Sequence, residues 1–205
     1  MQLDPSMEAK LARVELVAGI GTRESGRLCV MSLVAWLAGE AHGDSPACAS
    51  PLIRAFAIPL NDNMPAAMRQ RLKPFAPRIL GTADGREAER AALLRALMRA
   101  ELLPCIGSRL EGRGWWRRVR AILGRRRLER EALALMARAG SLRDSGDLAC
   151  AAAAAGVIGR LVARAAREAA GPEEAGRIWA LGISVLDRLC EPAASVPAAR
   201  VAESV

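Results

Sequence analysis

The chain lacks most of the side chains that enzymes use for acid–base and nucleophilic catalysis. Its 205 residues include no tyrosine, two phenylalanines and a single histidine, His42. A Ser-His-Asp or Cys-His arrangement would therefore need His42 as its base. The five cysteines are odd in number and widely spaced, and none forms a Cys-x-x-Cys pair, which argues against a disulfide framework. We predict no cofactor and no bound metal, and we lean against an enzyme.

Signals for strands and membrane spans are also scarce. Few segments alternate apolar and polar residues and aromatics make up only 3% of the chain, so the core has to be built from Ala, Leu, Val, Ile and Met. The apolar runs 28–38 and 148–159 are shorter than the roughly 20 residues that span a bilayer. The first ten residues lack the basic and apolar regions of a signal peptide. We predict an all-α, cytoplasmic protein.

Proline divides the chain into two parts. Seven of the eleven prolines lie before residue 82, which predicts short helices and rigid turns over 1–82. Longer amphipathic patterns with short loops predict an antiparallel helical bundle over 83–192, packed with the first part as the same or a second domain. Residues 193–205 are expected to form a flexible tail.

Three local patterns give sharper expectations. An N-cap and a proline, followed by apolar residues at helical spacing, predict a first helix over about 5–18. The glycine-rich stretch 19–26 follows no predicted strand and lacks a P-loop motif, so we expect a helix–helix turn there. Gly124 predicts a weak point in a helix over about 115–139.

Positive charge is concentrated in one segment. The chain carries a net charge of +8, and residues 109–130 contain nine arginines and two glutamates, a net +7. At helical spacing the tryptophans, Ile122 and Leu123 share one arc of this segment. Arg125 and most of the other arginines fall outside that arc. The binding candidates are Arg113, Trp115, Trp116, Arg117, Arg118 and Arg120.

Three interpretations of this arginine-rich segment stay open. It is a solvated face whose tryptophans lie in the core, as most charge runs are. Alternatively, it binds the phosphate backbone of DNA or RNA. As a third alternative, its tryptophans and arginines dock on an acidic membrane surface.

The loop around His42 is the second candidate. Cys29, Glu40, Asp44 and Cys48 lie near it in sequence, but their spacing matches no standard zinc pattern. Two Ser-Pro pairs in the loop are typical of helix starts, and they explain most of its polar residues as turn chemistry, but not why Glu40, Asp44 and Cys48 accompany Asn61 and Asp62. We therefore expect a turn between helices rather than a metal or catalytic site.

A longer motif surrounds this loop. The stretch CVMSLVAWLAGEAHGDSPACASP, with LND at 60–62 and RILGT at 78–82, resembles a group of uncharacterised bacterial and phage-borne helical proteins. These proteins share the pattern V-A-x-L-A-G-E … D-x-P-x-C-x-x-P … N-D … R-L-x-G-T. The resemblance covers about 28–82 and brings no activity with it. It implies one constellation of loop residues: Glu40, Asp44, Pro46, Cys48, Pro51, Asn61, Asp62, Gly81 and Thr82.

These observations favour a non-enzymatic helical interaction or regulatory protein with a protein partner. The first alternative is a nucleic-acid-binding accessory protein that uses the segment 109–130. The second is a small metal-dependent enzyme or binding site around His42. The alanine-rich helix near the C-terminus also offers a small-residue face on which a homodimer could form.

Overall fold

A computed structural model describes residues 4–107, 115–139 and 144–191, except the side chains of residues 107 and 115–121. It is 73% helical, which confirms the all-α prediction. A 3₁₀ segment covers Gln70–Phe75 and a π-helical segment covers Met98–Leu102. The helices are α1 Pro5–Arg13, α2 Val30–Leu37, α3 Pro51–Asn63, α4 Ala66–Arg69, α5 Ala76–Ile79, α6 Glu87–Leu97, α7 Leu103–Gly107, α8 Trp115–Ala139, α9 Ser145–Arg167 and α10 Pro172–Cys190.

A small sheet replaces part of the predicted helical start. Strands β1 (Glu15–Leu16), β2 (Gly21–Thr22) and β3 (Arg27–Leu28) form it, with β3 in the centre, parallel to β1 and antiparallel to β2. The predicted first helix begins at Pro5 as expected but ends at Arg13. The prediction that it continues to residue 18, and that 19–26 is a helix–helix turn, was therefore wrong.

Local geometry explains the small sheet. Val14 and Leu16 are buried while Glu15 between them is exposed, which is the alternation of a strand. Gly21 has φ +71°, and a Cβ there would lie 2.0 Å from the carbonyl oxygen of Arg27. Only glycine lets β2 and β3 approach so closely.

Helix α9 forms the centre of the core. It packs against α3 on one side and α8 on another, and α10 crosses it as well. A Cβ on Gly159 would lie 2.7 Å from the carbonyl oxygen of Phe56 and 3.3 Å from the ring of Pro59. The two helix backbones therefore meet closely at this point, and α3 continues past Pro59 to its end at Asn63.

The same helix is the one part of the described chain that is long and apolar enough to cross a membrane. Of its most apolar window, 61% is buried inside the protein, and the core helix of a soluble protein passes the same test. Its small residues, among them Ala154, Gly156 and Gly159, are buried within the chain. A homodimer would therefore have to use another surface.

Helix α8 runs without a break through Gly124, so no helix end marks the predicted weak point. The guanidinium group of Arg164, on α9, lies against this glycine. Because that flexible side chain can move aside, the contact does not by itself require glycine at this position. The predicted tail 193–205 lies outside the residues that the structure describes.

Candidate anion-binding groove

The loop constellation does not form one site. The Glu40 carboxylate accepts hydrogen bonds from the backbone N–H groups of Ala47 (2.7 Å) and Cys48 (3.0 Å). These bonds favour the charged form and lower the pKa of the Glu40 carboxyl. Glu40 therefore holds the turn before α3 closed, a role that the sequence did not predict for it. The side chain of His42 is exposed, with Nε2 3.0 Å from the carbonyl oxygen of Gly21.

Asn61 and Asp62 connect α3 to the small sheet. Asn61 is fully buried, accepts a hydrogen bond from the Val30 N–H (3.1 Å) and donates one to the Val17 carbonyl (2.7 Å). Asp62 accepts a hydrogen bond from the Gly19 N–H (2.9 Å). Both side chains satisfy backbone groups at the end of β1 and the start of α2, which is a structural role.

Three members of the constellation do converge, at a small cavity. Asp44, Asn61 and Asp62 line a space of about 30 Å³ together with Cys29, whereas Glu40 and Cys48 do not line it. That volume suits one or two water molecules. Burial raises the pKa of the Cys29 thiol, so the thiol stays neutral and is a poor nucleophile. Within the described parts of the chain, no group of three His, Cys, Asp or Glu side chains is placed to hold a metal ion.

Helix α8 faces the core with a different side from the one predicted. Leu123 is 60% exposed and Ile122 36%, whereas Arg125 is only 9% exposed. Arg125 places Nε 3.1 Å from the Glu168 carboxylate and donates from Nη1 to the carbonyl oxygen of Ile106 (2.7 Å). A buried arginine needs such partners, and helical periodicity alone did not show that Glu168 would provide one. The placement of Leu123 and Arg125 relative to the apolar arc was therefore wrong.

The structure does not describe the side chains of the predicted binding residues at the start of the arginine-rich segment. Arg113 lies in the segment 108–114. For Trp115, Trp116, Arg117, Arg118 and Arg120, only the helical backbone is described. The site is therefore built from residues 122–139 and from what they face.

The basic groove is the surface between α8 and the segment α6–α7. Positions 122, 126, 129, 133 and 137 line it from α8, and this spacing of three or four residues places them on one helix face. The opposite wall is formed by Arg95, Arg99, Leu103 and Ile106.

Two clefts lie along the basic groove. One of about 450 Å³ is lined by Leu103, Ile106, Ile122, Arg125, Arg126, Glu129 and Leu161. The other, of about 150 Å³, is lined by Arg95, Arg99, Leu133, Met136 and Ala137. Long side chains bridge the walls, since Arg125 reaches Ile106 and Arg95 donates from Nη2 to the Met136 carbonyl (3.3 Å).

Arginines without ion-pair partners are concentrated at the basic groove and on the adjoining surface of α8. Elsewhere, Arg78, Arg90 and Arg188 make ion pairs with carboxylates, although Arg13, Arg54 and Arg71 make none with a described carboxylate. Six arginines on the groove walls or on the exposed surface of α8 make no ion pair with any described carboxylate: Arg95, Arg99, Arg126, Arg127, Arg130 and Arg138. Glu129 is the acidic side chain among the lining residues. An anionic ligand therefore meets arginine from both walls.

Sequence reasoning missed Arg95 and Arg99. They lie outside the arginine-rich segment, and the charge count of a single segment does not show which distant arginines face it. Their spacing of four residues on one helical path was the available signal.

Comparison with known proteins returns no matching family model, no matching curated protein and no matching solved structure. A function for the chain is therefore inferred from the geometry and charge of the basic groove.

Proposed function

We propose that the chain is a non-enzymatic interaction protein, cytoplasmic in location, that binds the phosphate backbone of a nucleic acid along the basic groove. The observation that carries this proposal is the set of arginines without carboxylate partners at the groove and beside it. Arg95, Arg99 and Arg126 line the groove itself, and Arg127, Arg130 and Arg138 lie on the adjoining exposed surface of α8. Arginine presents a planar fork of N–H donors that matches phosphate oxygens. Each phosphate that it neutralises also releases condensed counterions, which favours binding.

The wider sequence supports the same interpretation. The groove-facing half of α8 continues into the rest of the arginine-rich segment 109–130, which carries nearly all the net charge. Backbone contacts of this kind position a protein on a nucleic acid without reading its bases. We therefore expect binding that is strong at low salt and weakly dependent on sequence.

Exposed apolar side chains on α8 favour a second candidate function. Leu123 and Ile122 are exposed beside the unpaired Arg126 and Arg127. Apolar and cationic side chains next to each other suit an acidic amphipathic partner, either a protein helix or an anionic membrane surface. This candidate keeps the interaction role and changes the class of ligand.

A site around His42 is the weaker hypothesis. Its side chain faces a backbone carbonyl, and the nearby carboxylate of Glu40 is engaged by backbone N–H groups. Both interactions are typical of a loop that is held in place.

The test is a titration of the purified chain against short single-stranded and double-stranded DNA and RNA of mixed sequence, followed by fluorescence anisotropy over a salt series. The logarithm of the affinity should fall with the logarithm of the salt concentration by about 0.9 for each phosphate contacted. A triple variant, Arg126→Gln, Arg127→Gln and Arg130→Gln, should reduce that slope by about two to three.

A charge-matched control is available in the same chain. The triple variant Arg13→Gln, Arg71→Gln and Arg177→Gln removes the same charge from exposed positions away from α8. It should leave the salt slope nearly unchanged. Binding that is absent at low salt, or that both triple variants weaken equally, would contradict the proposal.

A further inference from the structure

We propose that the smaller cleft of the basic groove, between Arg95 and Arg99, is a discrete site for one phosphate group. The inference deepens the proposed function and rests on it for the source of that phosphate, which is then a nucleic-acid backbone. A small phosphate ester offers the same chemistry. The cleft is lined by two arginines and by the apolar side chains of Leu133, Met136 and Ala137, so no carboxylate is among its lining residues in the described chain.

Arg95 carries hydrogen-bonding capacity that the folded chain leaves unused. Its Nη2 donates to the Met136 carbonyl, whereas its buried Nε has no acceptor among the described residues. A buried N–H of a charged group without an acceptor is unfavourable. One other buried arginine nitrogen, Nε of Arg23, also has no acceptor among the described residues, and it lies outside the basic groove. An anion in the cleft would provide the negatively charged partner that Arg95 lacks.

Arg99 completes the pair from the next helical turn. It lies four residues after Arg95, at the start of the π-helical segment Met98–Leu102, and it is exposed. Two like charges at this spacing repel each other in a helix. An anion between them turns that repulsion into attraction. Single-turn π segments in helices are frequently found at functional sites.

The helix end beside the cleft requires its own compensation. Met136 belongs to the last turn of α8, where the carbonyl groups present the negative end of the helix dipole. Arg95 donates to the Met136 carbonyl and Arg138 lies in the same turn. Both cations offset the dipole, which would otherwise disfavour an anion at this end of the helix. Arg99, on the opposite wall, makes no hydrogen bond with this helix end in the described residues.

The cleft is large enough for a phosphate group. A cavity of about 150 Å³ is of the order that holds one benzene-sized molecule in another protein. A phosphate group fits such a space and accepts paired hydrogen bonds from two guanidinium groups. The apolar floor has no acceptor or donor that would select among larger polar ligands.

The experiment follows the side-chain Nε–H signals of the arginines by NMR while inorganic phosphate is added, with chloride at matched ionic strength as the reference. The Arg95 Nε–H signal should shift saturably with phosphate and not with chloride. Arg99→Gln should abolish the shift, whereas Arg177→Gln, at an exposed position on α10, should leave it unchanged. Because Arg95 bridges two helices and its replacement could disturb folding, Arg99→Gln is the deciding variant.

A second arm uses an oligonucleotide in place of phosphate. Arg99→Gln should weaken oligonucleotide binding more than Arg177→Gln does, and added phosphate should compete. If phosphate shifts the Arg95 signal but no oligonucleotide binds, the proposed function fails and the site is assigned to small phosphate compounds. If phosphate produces no more shift than chloride, or if Arg99→Gln leaves the shift intact, the phosphate site itself is overturned.

Discussion

Asp84 binds both terminal nitrogens of Arg90, a side chain with no exposed surface. Its Oδ1 lies 2.6 Å from Nη1 and its Oδ2 lies 2.9 Å from Nη2, so the pair is bidentate. The Nε of Arg90 donates to the Leu189 carbonyl in the last turn of α10 (3.2 Å). Glu87 lies 3.4 Å from Nη1 and accepts a hydrogen bond from Ser50 at the start of α3. One buried cation thus connects α3, α6 and α10.

Replacing Arg90 should destabilise the fold more than any single surface change. Arg90→Met keeps the apolar stem but leaves the Asp84 and Glu87 carboxylates without their cation. The Leu189 carbonyl also loses its donor. Breaking a buried ion pair from one side costs about 3–5 kcal/mol. Urea unfolding followed by circular dichroism measures this loss. The control Arg177→Gln removes an exposed ion pair with Glu173 (3.8 Å) and should change the free energy of unfolding by less than about 1 kcal/mol. Equal effects of the two variants would contradict a central role for Arg90.

The same cluster predicts how stability depends on pH. Hydrogen bonds from Arg90 lower the pKa of Asp84 from 3.8 to about 2. A carboxyl whose pKa is lower in the folded state contributes stability above its unfolded pKa and loses that contribution as the pH falls towards the folded value. Burial raises the pKa of Glu87, so that group acts in the opposite sense and opposes folding as the pH rises above its ordinary value of 4.5.

The measurement compares wild type with Asp84→Asn in urea unfolding from pH 7 down to pH 2. The variant should be less stable at pH 7, and the difference between the two proteins should shrink between about pH 4 and pH 2. A difference that stays constant down to pH 2 would show that Asp84 does not hold its charge through Arg90.

An element of the fold can be predicted from the sequence when the interactions that form it are local. Helices α9 and α10 follow from caps, apolar spacing and the Gly171-Pro172 break, all of which act within a few residues. The small sheet does not, because its strands have only two residues each, which is too short for an alternating pattern, and β2 and β3 pair through the close approach of Gly21 to Arg27. Arg125 was misplaced for another reason, because its partner Glu168 lies 43 residues away. The Arg95–Arg99 wall of the groove could be found only once α6 and α8 were placed side by side.

Two helical glycines provide a matched test of close helix packing. Gly159→Ala places a Cβ within 2.7 Å of the Phe56 carbonyl oxygen, and backbone atoms cannot move aside as a flexible side chain can. Overpacking of this kind costs about 1–3 kcal/mol. Gly176→Ala, in α10, meets no atom within 4 Å and should gain up to about 1 kcal/mol from helix propensity. Thermal unfolding of both variants measures the contrast, and a Gly159→Ala protein as stable as wild type would mean that α3 and α9 are not in contact there.

Leu123→Ser separates the two candidate ligand classes, a nucleic acid in the groove and an amphipathic partner or membrane beside it. The side chain is 60% exposed, so the change should leave the free energy of unfolding nearly as it is. Phosphate-backbone binding depends on charge and should also be unchanged. A partner that buries this leucine would lose about 1.5–3 kcal/mol, which is a factor of ten or more in affinity. Anisotropy with oligonucleotides and co-sedimentation with phosphatidylserine vesicles measure the two affinities side by side.

A variant that binds nucleic acid like wild type but no longer sediments with vesicles would assign Leu123 to a membrane contact separate from the groove. A variant that loses nucleic-acid binding would show that the ligand is held by apolar contact, and the row of unpaired arginines would then not explain it.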